Sequence, residues 1–195
     1  MNRVLLVDNY DSFVYNVLHL IVRVTGFKTD VVFNDRIPFG ELERYSHIVL
    51  SPGPGIPSEA GDLLKLVDVC FETHSILGIC LGHQAIALHS GANLINLEHP
   101  LHGHKSTLEI LDPNDPLIGS FKNGDRVDVA LYHSWAVDKN RFPKDLSIGS
   151  VNEDGIIMSL YHKRLPIFGL QFHPESIITA YGDKIIKNWR DHTLL

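Results

Sequence analysis

Residues 4–7 form an unbroken apolar run, Val-Leu-Leu-Val, closed by Asp8, the pattern of a strand buried on both faces. Val14, Val17, Leu18 and Ile21 then recur at i, i+3, i+4 and i+7, one face of a helix that Asp11 or Ser12 is placed to cap and Gly26 to end. Residues 31–33 predict a second strand and residues 47–50 a third, stopped by the turn-rich SPGPGIP. A helix over 63–71, a strand over 76–79 and a helix over about 83–89 follow. The order strand, helix, strand, strand, helix, strand, helix predicts an α/β domain, its central sheet mainly parallel with helices on both faces.

After Gly91 the pattern changes to short β-rich pieces, at 106–111, 127–132, 148–151, 156–162 and 167–172. Turn signals DPNDP, KNGD and NEDG separate them, so this half is expected to supply hairpins and sheet extensions, a β-rich C-terminal addition to the parallel core. A last helix over about 183–191 closes the chain. No internal repeat or low-complexity tract interrupts it, and residues 1–195 read as one domain.

Composition narrows the class without altering the fold. A net charge of −6 argues against a nucleic-acid partner, which favours a basic face. The first apolar run is too short for a signal peptide, and no stretch approaches the roughly 20 apolar residues of a membrane span. Two cysteines, Cys70 and Cys80, do not make a disulfide framework. They fit a reducing compartment, and a cytoplasmic protein is expected.

The segment SILGICLGHQA carries the first candidate chemistry. An apolar strand ends at Ile79, Cys80 sits at the turn, and a helix follows, with Gly78 and Gly82 two residues to either side. This is a nucleophile elbow with Cys in place of Ser. Strained angles and crowded neighbours at such a turn call for flanking residues without a Cβ. The side chain is then held at the carboxyl edge of the sheet, where α/β proteins bind ligands. The helix N-terminus favours the thiolate, and the Leu81 N–H is placed as an oxyanion donor. The alternative, a buried structural thiol, suits Cys70 in the apolar LLKLVDVCFE.

A cysteine nucleophile needs a base, and the chain has 12 histidines, so position must choose among them. FGLQFHPES puts His173 just past an apolar strand, at the same sheet edge as Cys80 if the two strands are parallel. Pro174 biases His173 towards an extended conformation, in which Glu175 points the same way and can fix the ring tautomer. Taken alone, His-Pro-Glu is equally an ordinary strand exit; the elbow in the same chain favours function.

Together, GICLGHQ and QFHPES resemble the class I (triad) glutamine amidotransferases, a class I amidotransferase-like, flavodoxin-like fold. DNYDSFVYN, SPGPGIPSEAG, LHGHKS and YHSW look like the glutaminase subunits of anthranilate and aminodeoxychorismate synthases, and the similarity covers nearly the whole chain. The resemblance implies Cys80 as nucleophile, His173 as general base and acid, and Glu175 as its orienter. It implies an oxyanion hole of Gly53 and Leu81 backbone, and a glutamine site of Gly53, Pro54, Gly55, Gln84, Ser134 and Trp135. A Pro-Gly-Pro-Gly loop suits that role because its few side chains let N–H groups approach a ligand, although it is equally a strand-ending turn. Two departures stand out: Trp135 where the family has an apolar aliphatic residue after YHS, and His104 before Lys105 where Lys commonly comes directly.

The implied reaction is hydrolysis of L-glutamine to glutamate and ammonia through a cysteinyl thioester. With the chain filled by this domain, a separate chorismate-using synthase is the expected ammonia acceptor. No cofactor is expected in this chain, and Mg²⁺ is expected on the synthase. His99, His102 and His104 offer an incomplete ligand set, so no metal is expected there. The competing readings are a γ-glutamyl or other cysteine hydrolase on the same fold, and a non-catalytic regulatory subunit.

Overall fold

Alternation along the first strand decides where the core lies. In the computed structural model, which describes residues 2–121 and 125–193, β1 (Arg3–Asp8) turns Val4 and Leu6 to one apolar cluster and Leu5 and Val7 to another. The first cluster packs beneath α1 (Val14–Thr25), the second beneath α2 (Leu63–Cys70) and α3 (Leu81–His89). A strand covered on both sides has no polar face, which is why 4–7 is apolar throughout.

β2 (Lys28–Phe33), β3 (His47–Leu50) and β4 (Ser75–Ile79) complete the first half. The second half holds β5 (Leu94–Thr107), β6 (Glu109–Ile110), β7 (Asp128–Val137), β8 (Leu146–Val151), β9 (Ile157–His162) and β10 (Ile167–Leu170), then α4 (Gly182–Thr193). The main sheet has eight strands in the order β2-β1-β3-β4-β10-β9-β8-β6. Its first five are mutually parallel, and β9, β8 and β6 continue it antiparallel. β10 pairs with β4 in parallel register, Leu170 opposite Ile79, so the two chains leave the sheet at the same edge. α4 adds Ile185, Ile186 and Trp189 to the cluster beneath α1.

Several boundaries differ from expectation, each for a local reason. α1 has no side-chain cap: Asp11 Oδ2 instead accepts the Phe13 N–H at 2.7 Å, a turn two residues long that ends before the helix begins. Gly26 ends the helix as expected, in the left-handed conformation. α3 starts at Leu81, directly after the cysteine. β5 begins at Leu94 and pairs with β7 as a separate two-stranded ribbon, so the expected strand 106–111 is divided between β5 and β6. β7 runs on to Val137, and β10 stops at Leu170, leaving Gln171 and Phe172 beyond the strand. The NEDG turn joins β8 to β9, its Asn152 Oδ1 accepting the Asp154 and Ile156 N–H groups. Lys122, Asn123 and Gly124 of the KNGD signal lie outside the described residues. Among the described residues no helix is long and apolar enough to cross a membrane.

Candidate active site

Backbone crowding builds the elbow between β4 and α3. A Cβ on Gly78 would stand 2.4 Å from the Gly82 carbonyl carbon and oxygen, and one on Gly82 would stand 2.5 Å from the Leu50 carbonyl oxygen. The two glycines let the first turn of α3 lie directly on β4 and β3. The strained angles fall on Cys80 itself, at φ 51° and ψ −100°. That conformation costs a non-glycine residue about 1–3 kcal/mol and persists only where its surroundings impose it. The Cys80 N–H donates to the Leu170 carbonyl at 2.7 Å, which ties the turn to the end of β10. Cys70 is placed differently: it sits within α2 with no exposure, and burial pushes its thiol up to about 12.

Past β10 the chain delivers His173, 2% exposed, to the same edge. Its N–H donates to the Ala130 carbonyl at 3.1 Å, and its own carbonyl accepts the Thr179 hydroxyl at 2.7 Å. His173 Nδ1 and Glu175 Oε1 are 2.6 Å apart, with both side chains almost wholly buried. The pair meets across a tight turn, in which the Ser176 N–H bonds the His173 carbonyl, and not along an extended strand as expected. Burial works against charge on the ring, but the neighbouring Cys80 sulfur and the Glu175 carboxylate outweigh it, so the His173 pKa is raised to about 10. Nε2 is buried and makes no hydrogen bond. The Cys80 sulfur is nonetheless the foremost influence that raises the ring, as a hydrogen-bonding neighbour and through its charge.

Cys80 opens into a cavity of about 250 Å³. Gly53, Pro54, Gly55, Leu81, Gln84, Ser134 and Trp135 all line it, joined by Tyr132 and His133. The loop is fastened from below by Asn9, whose N–H donates to Ser51 Oγ and whose Nδ2 donates to the Ser51 carbonyl, both at 2.9 Å. Asn34 Nδ2 in turn donates to Asn9 Oδ1 at 3.1 Å. Gly53 crosses so close to Asn9 and Leu81 that a Cβ there would stand 2.6 and 2.8 Å from their side chains. The Gly53, Gly55 and Leu81 N–H groups make no hydrogen bond with any described residue. Residues with unpaired backbone donors therefore line the cavity into which Cys80 opens.

β7 forms the opposite wall. His133 Nδ1–H donates to the Trp135 carbonyl at 2.8 Å, and burial, with His173 nearby, pushes the His133 pKa down to about 4. Gln84 Nε2 reaches the same carbonyl at 2.8 Å. His173 and Glu175 border a second cavity of about 550 Å³, between α1 and the start of α4. Tyr132 borders both cavities, its ring edge-on to His173 at 5.0 Å.

Residues absent from the expected set are thus Asn9, Tyr132, His133 and Gln171; only their presence inside the quoted motifs pointed towards them. Lys105 of LHGHKS is exposed and paired with Asp128 at 2.7 Å. The His102 side chain is not described, and among the described residues no group of three His, Cys, Asp or Glu is arranged to hold a metal.

The sequence matches the family described as Glutamine amidotransferase class-I over residues 5–192. It is 39% identical to a putative anthranilate synthase component II of Haemophilus influenzae, over 96% of this chain and 95% of that protein. It is 40% identical to an aminodeoxychorismate synthase of Streptomyces griseus, over 98% of this chain but 26% of that longer protein. Among solved structures, a putative GMP synthase subunit from Thermoplasma acidophilum superposes with TM-score 0.85 at 30% identity, covering 100% of this chain and 94% of that one. A glutamine amidotransferase from Thermotoga maritima, 21% identical, shares the fold with TM-score 0.75, over 98% of this chain and 83% of that one.

Proposed function

The chain belongs to the class I glutamine amidotransferases, and from that premise we propose that Cys80, His173 and Glu175 hydrolyse glutamine for a separate chorismate-using synthase subunit. One observation carries the catalytic assignment. A cysteine held at positive φ between two backbone-packed glycines shares a sheet edge with a buried His–Glu pair.

In this reading the Cys80 proton already rests on His173, whose pKa is raised to about 10, and the sulfur attacks the side-chain carboxamide carbon of glutamine. The carbonyl oxygen becomes an oxyanion facing the Gly53 and Leu81 N–H groups, each worth about 3–4 kcal/mol in comparable sites. His173 then protonates the departing nitrogen, the C–N bond breaks, and ammonia leaves a glutamyl thioester. A water that gives its proton to His173 attacks the thioester, the C–S bond breaks, and glutamate leaves, restoring the charged pair of sulfur and imidazolium. Glu175 holds the Nδ1–H throughout and stabilises the charged ring. Gly55, Pro54, Gln84, Ser134 and Trp135 line the space offered to glutamine; Trp135 takes part through its carbonyl, so an indole in place of an aliphatic side chain leaves that contact intact.

Ammonia released to water at neutral pH becomes ammonium, which is no nucleophile, so the product needs a docked acceptor. The names of the relatives, anthranilate synthase component II and aminodeoxychorismate synthase, support an acceptor that aminates chorismate. Mg²⁺ is assigned to that synthase, and the thiol, imidazole and carboxylate complete the chemistry proposed for this chain. Two free cysteines fit a reducing compartment, and we place the protein in the cytoplasm.

The test mixes the chain with each synthase, chorismate, Mg²⁺ and glutamine as sole nitrogen source, and identifies the aminated product. Cys80→Ser is expected to abolish glutamine-dependent product while ammonia still supports the synthase. Glutamine-dependent activity in that variant refutes the nucleophile, and no product with either synthase refutes the partner.

A further inference from the structure

Gln171 lies one residue past β10, fully buried between the nucleophile and the cavity wall. Its backbone N–H donates to the Met158 carbonyl at 2.8 Å, which continues the pairing of β10 with β9 and fixes where the side chain emerges. From there the amide reaches in two directions. Nε2 donates to Cys80 Sγ at 3.6 Å, a distance suited to the large radius of sulfur. Oε1 accepts from Gln84 Nε2 at 3.2 Å.

That second bond has a consequence at the cavity. An amide nitrogen carries two hydrogens. Gln84 gives one to Gln171 and the other to the Trp135 carbonyl, so its donors are used. What Gln84 presents to the cavity it lines is its oxygen, an acceptor suited to an N–H group of the substrate. Beside His173, Gln171 is a second side-chain donor next to the Cys80 sulfur in the resting chain. Donation to a charged acceptor is roughly twice as strong as donation to a neutral one, so this bond strengthens when the sulfur carries charge.

We infer that Gln171 is a positioning residue of the glutaminase reaction, its single buried amide holding the Cys80 sulfur and setting which end of the Gln84 amide faces glutamine. The inference rests on Cys80 being the nucleophile and on the adjoining cavity being the glutamine site.

The two ends can be separated. Gln171→Met keeps the length and removes both bonds; Gln171→Glu keeps an acceptor for Gln84 and replaces the amide donor facing the sulfur. Alkylation of the full chain by iodoacetamide, followed against pH, reads the sulfur. The KM for glutamine, with the synthase present, reads Gln84. The titratable groups at this end of the sheet are His173 and Glu175 past β10, His133 on β7 and His83 on α3; Gln171→Met leaves all of them in place, and Gln171→Glu adds a carboxylate beside the sulfur.

The methionine variant is expected to alkylate about tenfold more slowly at neutral pH, its profile displaced upward by about one unit, with KM raised several-fold. The glutamate variant is expected to slow alkylation at least as much, since its carboxylate also opposes negative charge on the sulfur, while KM stays within about twofold of wild type. A purely structural role lowers the folded fraction and leaves the position of the pH profile where it was. Should neither variant fold, Gln84→Met approaches the chain of bonds from the cavity side, and slower alkylation is again expected. Profiles that superpose on wild type, in an enzyme that still hydrolyses glutamine, overturn the role of Gln171. A wild-type chain that hydrolyses no glutamine with its synthase present overturns the reading beneath it instead.

Discussion

Replacing Gly78 by alanine tests whether the elbow exists because two stretches of backbone touch. The added Cβ would meet the Gly82 carbonyl carbon and oxygen at 2.4 Å and the His83 nitrogen at 2.6 Å. All three are main-chain atoms of α3, so no rotamer change relieves the contact. Ordinary contact begins near 3.4 Å, which leaves the first turn of the helix to retreat by about 1 Å. It has little room to do so, since every residue from Leu81 to Ala87 is buried. Overpacking of this kind costs about 1–3 kcal/mol and sometimes more. At the upper end, a chain of this length loses roughly 6–12 °C in Tm. The same displacement moves Cys80 and the Leu81 N–H relative to the substrate, and a misplacement of about 1 Å costs around 100-fold in rate. Thermal melting gives the first quantity, and glutamine hydrolysis with the synthase present, scaled to folded protein, gives the second. Gly40→Ala is the control: a Cβ there meets nothing within 4 Å, and a stability change within about 0.5 kcal/mol is expected. A Gly78→Ala enzyme with Tm within about 2 °C and rate within about twofold of wild type would refute the reasoning.

Glu175→Gln keeps an acceptor for the His173 Nδ1–H but removes the charge that helps hold the ring protonated; kcat is expected to fall by about 10³-fold, and a loss below about tenfold would argue against an orienting carboxylate. Thiol titration of the native chain is expected to count one reactive cysteine, with Cys70 appearing only on denaturation, and a Cys80→Ser variant that still reacts rapidly would contradict this. Burial pushes His47, His83 and His133 down to about 4, 3 and 4, whereas in the unfolded chain each titrates near 6.5. Their contribution is whole above 6.5; as pH falls below it the unfolded chain takes up more protons than the folded one, so stability falls with pH from about 6.5 towards 4. Asp115, raised by its own burial, acts in the opposite sense and offsets part of that slope. Urea melts at a series of pH values measure it, and a flat response between about pH 6 and 4 would mean these rings are not buried neutral.

The parallel half was legible because its signals are local. Val4–Val7 is uniformly apolar since β1 is covered twice, and the 3.6-residue recurrence from Val14 to Ile21 marks the face α1 turns inward. The glycine spacing around Cys80 marked the elbow for the same reason: the crowding it relieves arises within five residues. Partners far apart in sequence left a weaker mark, and strand pairing in the second half was misjudged. β7 pairs with β5 across more than 20 residues, and its run Tyr132-His133-Ser134-Trp135 has no clean alternation, so its reach along the cavity wall was not visible. Asp11 looked like a helix cap because an Asx turn and an N-cap use the same residue types at almost the same offset. Gln171 stood in a quoted motif, yet nothing local tells a buried amide with partners on α3 from a polar residue at a strand exit.

Histidine shows most sharply what sequence withholds. His83, His133 and His173 are all buried at one end of the sheet, and the cost of burying charge acts on each in the same direction. Yet His173 is held protonated to about 10, while His133 falls to about 4 and His83 to about 3. Their neighbours make the difference. His133 gives its Nδ1–H to a neutral carbonyl and meets the positive His173 ring, whereas His173 has a carboxylate at 2.6 Å and the Cys80 sulfur nearby. Neighbours, rather than burial itself, thus decide which of three buried rings carries charge. Two residues of sequence, Pro174 and Glu175, separate His173 from the chain's other histidines, and they do so by closing the turn that brings a carboxylate to its ring. The neutral rings around it then add no second positive charge to compete for the sulfur.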